Sequence, residues 1–254
     1  MATKSKIPAS LRVIGRSIVD WWDGWLDMVL VMIVWVLAQV TIILGPPATF
    51  GVYYVVHSMI NGEAQGVRGM ISGGRKYFWK AWIWGLITLL GTVILIVNYI
   101  FYGRVEANWG VYVQGFVVLL SFLWLSTQFY ALPFFMEQEF KSIKIAFRNG
   151  FLTTLAAPFF TMVLAIPAAI VIGLSGVFVL PLFLGLPGII PFLGFRALYN
   201  RLEAFGLRQP EKSPREIEFE ESGRIRVPGL DNLTTDDAPA SEIADGEGQV
   251  KKEE

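Results

Sequence analysis

Histidine, acids and side-chain amides are the groups through which this chain could do chemistry, and it holds few of them. His57 is the sole histidine among 254 residues, and cysteine is absent. A tetrahedral metal site needs several Cys, His or carboxylate ligands, and the residue one helical turn after His57 is Asn61, not an acid. No metal and no cofactor are therefore expected. Without thiols, disulfides and thiolate nucleophiles are excluded. The residues flanking His57 suggest no Ser-His-Asp arrangement, so no catalytic residue and no enzyme activity are expected.

Gln39, His57, Asn98, Gln114 and Gln128 are the strong polar groups left inside otherwise apolar stretches. They are the candidates for lining a small polar cavity that would suit a sugar-like ligand. The competing reading has them hydrogen-bonding helix to helix, the usual fate of polar groups in lipid, and we take that reading. No Asp, Glu, Lys or Arg lies in the middle of an apolar stretch. Asp27 stands at the start of the first, and Glu137 and Glu139 stand just past the fourth. Intramembrane carboxylates mark proton and ion relays, so an ion-coupled pump is disfavoured. Gly69-Met70-Ile71-Ser72-Gly73-Gly74 has the glycines of a phosphate loop but lacks the Gly-Lys-Ser/Thr ending and a preceding strand. It is expected to be a flexible connector.

The elements that position these groups are set by hydrophobic blocks. The chain is 54% hydrophobic, with 19 Phe and 9 Trp, more apolar surface than a soluble domain of this size can hide. Blocks of about 20 residues match a helix crossing roughly 30 Å of hydrocarbon. Spans are expected at Leu26–Leu44, Ala81–Phe101, Val111–Phe135, Leu152–Leu174 and Val177–Phe195, with a shorter one at Ala48–Ile60. Gly45-Pro46-Pro47 is expected to stop the first. Before it, Leu11, Ile14, Ile18, Trp21, Trp22 and Trp25 recur at helical spacing after Ser10, a plausible N-cap, and predict an amphipathic helix in the interface. The fold class expected is all-α: a polytopic bundle of six membrane segments, five full-length and one short. The expected division is an interfacial segment over 1–25, a transmembrane domain over 26–206 and an acidic, disordered tail over 207–254.

Charge orders the threading. The balanced total of 21 basic and 21 acidic residues conceals +7 over residues 1–210 and −7 over 211–254. No basic surface dominates, so nucleic acid is not an expected partner. With six crossings, Arg104 is the one basic residue of the membrane domain on the far side. The loops holding Arg68 to Lys80, Lys141 to Arg148 and Arg196 to Lys212 then share a side with the N-terminus. The positive-inside rule makes that side cytoplasmic, with both termini on it. Ala165, Ala169 and Gly173 form a small-residue stripe, read as ordinary internal packing. Glu216–Val227 alternates as a β-hairpin would. The partners expected are the lipid bilayer and, through the tail, another membrane protein or a cytoplasmic protein.

Several ordered loops resemble the YesL-like family of bacterial integral membrane proteins. The residues that carry the likeness are Leu44-Gly45-Pro46-Pro47-Ala48-Thr49, Asn61-Gly62-Glu63, Arg75-Lys76-Tyr77-Phe78-Trp79-Lys80, Glu137 to Lys144, and Phe147-Arg148-Asn149-Gly150. The resemblance covers about residues 20–205. It implies a bacterial cell-membrane protein of unknown biochemical role, with at most an accessory part in carbohydrate uptake, and it supplies no catalytic residue. A non-catalytic accessory protein is therefore the expected function, with a small-molecule transporter or permease-like protein as the alternative.

Overall fold

The computed structural model describes residues 8–63, 65–178, 181, 183 and 185–209. The acidic tail beyond Gln209, with its expected hairpin, lies outside the described residues. Among those described, every regular element is helical: α1 Ala9–Asp23, α2 Trp25–Val40, α3 Gly45–Ile60, α4 Gly66–Lys76, α5 Phe78–Gly103, α6 Trp109–Glu137, α7 Ile143–Ala156, α8 Pro158–Val177, a 3-10 turn Leu186–Gly188 and α9 Ile189–Ala204.

The amphipathic helix is α1, which begins after Pro8, so Ser10 falls inside its first turn rather than capping it. It meets α2 at an 85° bend. Gly24 stands at the corner, with Cε of Met59 from the end of α3 packed beside it. α2 ends at Val40, before the prolines. Pro46 and Pro47 instead open α3, where their missing N–H groups leave no helical bond unmade.

α3 is the core helix. Phe50, Val55 and Val56 are fully buried, and Phe50 meets Trp84 and Phe135 edge-on. The glycine-rich run expected as a flexible connector is the helix α4, laid against α3. A β-carbon at Gly73 would sit 2.7 Å from that of Tyr54, and one at Gly51 would run into the Met70 carbonyl. Glycine lowers helix propensity, but here it lets two helices approach closely enough to pack backbone against backbone.

α5 and α6 form an antiparallel pair: Lys80 meets Lys141 at one end, Thr88 meets Gln128 further in, and Gln114 reaches Tyr99 at the other end. The outer face of α5 exposes Leu89, Leu90, Ile94 and Val97. The expected span Leu152–Leu174 is broken. Ala157, forced out of helical geometry by Pro158 (φ −144°, ψ 61°), separates α7 from α8. The last expected span is also divided: Gly185 takes φ +80° and a 3-10 turn follows it before α9 starts at Ile189. Three described helices, α5, α6 and α8, are long and apolar enough to cross a membrane, or four if the bent pair α1–α2 counts as one. The sequence led us to expect six. α3 and α9 fall outside because each is 16 residues long, and about half or more of each is buried in the protein.

Close packing of α3 on α4 gives a test. Gly51→Val should destabilise the folded protein by about 1–3 kcal/mol through overpacking. Gly115→Ala, whose β-carbon meets nothing within 4 Å, should be neutral or slightly stabilising. Unfolding midpoints in detergent micelles report both.

Candidate functional site

The five polar residues singled out in the sequence do not converge. Gln39 donates from Nε2 to the Gly45 carbonyl (3.3 Å) and to Thr49 Oγ1 (3.4 Å), which also accepts from Trp35 Nε1 (3.1 Å). These bonds clamp the α2–α3 turn. Asn98 donates back to the Ile94 carbonyl of its own helix at 2.7 Å. Gln114 Nε2 reaches the Tyr99 carbonyl at 3.4 Å, closing the far end of α5–α6. Gln128 Oε1 accepts from the Thr88 hydroxyl at 3.2 Å. Each has a partner near where it stands, and the five do not line a common polar cavity; of the five, Gln128 lines a cavity. His57 leads elsewhere.

His57 Nε2 donates to Glu137 Oε2 at 3.1 Å. The same oxygen accepts the Tyr199 hydroxyl at 3.0 Å, and Oε1 accepts Arg208 Nη1 at 3.2 Å. Arg208 also lies 3.6 Å from the centroid of the Tyr199 ring. Glu137 is the last residue of α6, where the helix dipole disfavours a carboxylate. Three donors from α3, α9 and the segment after α9 offset that cost. Burial, and after it the facing Glu137 charge, pushes the Tyr199 hydroxyl up to about 12, so it remains a donor at physiological pH. The sequence had placed Glu137 just beyond a span but gave no sign of its partners. Tyr199 and Arg208 lie 62 and 71 residues away, and no local spacing links them.

A second ion pair ties α9 to α1. Arg196 Nε and Nη2 donate to the two Asp20 oxygens at 2.6 and 3.1 Å, with side chains 12% and 22% exposed. Such a fork is directional as well as attractive. At the residue after Asp20, Trp21 donates from Nε1 to the Gly185 carbonyl at 3.0 Å.

At the end of the bundle where α5 begins and α6 finishes, lysines gather. Lys80 donates to the Lys141 carbonyl at 2.7 Å, and Lys141 donates to that of Met136. Burial, then the charge of Lys76, holds the Lys141 amine below its ordinary range, against the opposing pull of Glu137.

Between α3, α5, α6 and α8 lies a cavity of about 370 Å³ with an almost wholly apolar wall. Ala165 and Ala169 of the small-residue stripe line it, and a β-carbon on Gly173 would meet nothing within 4 Å. The stripe thus borders open space, where we had expected ordinary packing. Trp84 and Gln128 also line the cavity, and Trp84 Nε1 and Gln128 Nε2 are buried without an acceptor.

Among the described residues no group of three or more His, Cys, Asp or Glu could hold a metal ion. No protein-family model, curated protein or solved structure matches the chain. The arrangement at Glu137 can fasten three segments together, and its removal measures that. Glu137→Ala should destabilise the fold by about 1–3 kcal/mol, since it strands the buried Tyr199 hydroxyl. Glu139→Ala, on an exposed residue nearby, should stay within about 0.5 kcal/mol. Denaturation of the two variants in the same detergent separates these outcomes.

Proposed function

We propose that this chain is a non-catalytic multi-pass membrane protein, accessory to another membrane process. The observation that carries the reading is the state of Glu137. Both of its oxygens are occupied by donors from the protein itself, so it fastens helices and offers no free base to a substrate. The cavity supports the same reading over a sugar permease. A sugar needs many hydrogen-bonding groups, and among the five polar candidates only Gln128 reaches the wall. Carbohydrate uptake as the process served rests on the YesL-like resemblance alone.

In the same proposal the lysine-rich end faces the cytoplasm of a bacterial cell. Arg75, Lys76, Lys80, Lys141 and Lys144 all lie where α5 begins or α6 has ended, and cytoplasmic loops carry such excess. α2 and α3 then form a re-entrant hairpin instead of two crossings. Its tip meets the early part of α5: Trp82 Nε1 donates to the Ile43 carbonyl at 3.1 Å, and Pro46 lies against Gly85. These positions are four to seven residues into α5, or about 6–11 Å at roughly 1.5 Å per residue. The tip is apolar and bare, with Val40 78%, Ile42 75% and Ile43 62% exposed, which suits hydrocarbon and not water. Its backbone is satisfied internally by bonds from Thr41, Ile42 and Gly45 to Ala38, Gln39 and Ile42, as lipid requires. A hairpin that enters and leaves by one face keeps the basic loops together, just as two crossings would.

The absence of cysteine makes single-cysteine labelling clean. Ile42→Cys should resist a membrane-impermeant maleimide from both sides, Arg104→Cys should label from outside, and Lys144→Cys only after the cytoplasmic face is opened. Labelling of Ile42→Cys from outside would replace the hairpin by two crossings. For the accessory role, the full chain extracted in mild detergent should co-purify with a partner that is lost when residues 210–254 are removed. Recovery of the chain alone in both forms would count against it.

A further inference from the structure

We infer that a groove between α5, α6 and α7 holds one chain of an anionic phospholipid, whose headgroup phosphate is bound by Lys144 and Arg148. The inference rests on the membrane reading above and goes beyond it by assigning a ligand class. Aromatic rings build the floor of the groove. A β-carbon at Gly91 would run into the Trp124 ring, so glycine there lets the indole lie against α5. Trp124 Nε1 donates to Thr92 Oγ1 at 3.3 Å, and its ring stacks on Phe147 with centroids 6.0 Å apart. The groove encloses about 550 Å³, within the range of small-ligand sites. Ile94, Leu120 and Phe151 line it and are also exposed, so it opens sideways, where lipid tails lie. The charge at one end names the occupant.

Arg148 belongs to the same wall, which is almost wholly apolar. It therefore contributes its methylene stem there, while the residue as a whole is exposed and its guanidinium is free to reach outward. Lys144 stands one turn earlier on the same face of α7 and is exposed too. Helical side chains lean toward the N-terminus, which turns Arg148 toward Lys144. Like charges at this spacing destabilise a helix, and the first turn of α7 has no acid to relieve them. Among the described residues neither side chain makes a hydrogen bond or an ion pair. Nearby Glu137 is filled by His57, Tyr199 and Arg208, and Glu139 pairs with no cation among the described residues. An anion from outside the chain supplies the missing charge.

Depth agrees with a lipid. α7 runs back along α6, since Lys141 reaches Met136 while Gly150 packs on the backbone of Thr127 and Ala131. Arg148 thus lies at the end of the groove nearer the lysines. From Thr127 the wall continues inward to Leu120, about 10 Å at roughly 1.5 Å per residue. Charge outside and methylenes inside is the order of one lipid leaflet. Free phosphate would use the cations and leave the apolar wall bare, and a zwitterionic lipid would bring a cation of its own toward Arg148.

The test uses the full chain, confirmed in the membrane fraction before extraction. Native mass spectrometry compares retention of phosphatidylglycerol, phosphatidylcholine with the same chains, and glycerophosphoglycerol, the headgroup without chains. Phosphatidylglycerol should be retained about tenfold over phosphatidylcholine, the effect of two cations beside an anionic headgroup. The chainless headgroup should not be retained. Arg148→Gln should cut the preference about threefold, the share of one cation. Arg12→Gln, on α1, should leave it unchanged, and Ile94→Trp, which narrows the groove, should reduce retention of both lipids. The comparison on the unaltered chain stands even if a variant fails to fold. A second measurement also needs no variant: in phosphatidylcholine vesicles holding a diazirine-tailed phosphatidylglycerol, adducts should concentrate on Leu120, Leu123 and Phe151. Equal retention of the two lipids, retention of the chainless headgroup, an equal effect of Arg12→Gln, or adducts spread evenly along Leu89 and Leu90 would each overturn the assignment. A chain missing from the membrane fraction would overturn the membrane reading along with it.

Discussion

Hydrocarbon offers a polar group no water to bond with, so any donor or acceptor carried into it must be satisfied by the protein or by something bound to it. That constraint accounts for most of the polar contacts described here. Gln39 and Trp35 are spent on the α2–α3 turn, Asn98 on its own helix, and Gln114 on closing α5 to α6. At the bundle's end the charged groups are also paired: Glu137 collects His57, Tyr199 and Arg208, and Arg196 grips Asp20 with two bonds. Trp84 Nε1, Gln128 Nε2 and Ser175 Oγ, on the three long apolar helices, depart from that constraint.

The latches also explain the helices that composition alone misjudges. α3 and α9 are short for a membrane crossing, yet they hold the deepest side chains, among them Phe50, Phe195 and Leu198. They are held by neighbours more than by lipid: α3 by the glycine face of α4, and α9 by Asp20 on one side and Glu137 on the other. A helix packed in this way need not reach across the bilayer to be stable, because its apolar face is buried in protein.

How far the structure was legible beforehand follows from the range of each interaction. The amphipathic α1 and the long α5 and α6 were legible because periodicity and block length are local properties. The break at Ala157 follows from Pro158, whose ring constrains the residue before it. α4 was not legible as a helix, since Gly69, Gly73 and Gly74 speak against helix in isolation and favour it only once Tyr54 and Pro47 lie opposite. The prolines at 46 and 47 gave the place of the turn but not its sense, as the same residues can follow one helix or begin the next. The expected polar cavity failed for a related reason: polarity along a sequence does not say which neighbour answers it. Glu137 was visible as an acid at a helix end, while its three partners came from segments the sequence could not bring together.

If polar side chains serve mainly to fasten this bundle, Glu137 and Tyr199 must be energetically coupled in the folded protein. A double-mutant cycle of Glu137→Ala and Tyr199→Phe, followed by unfolding in detergent, measures that coupling directly. The account predicts a loss in the double variant that departs from the sum of the single losses by about 0.5–3 kcal/mol, the range for residues in contact. Additivity within about 0.3–0.5 kcal/mol would contradict it.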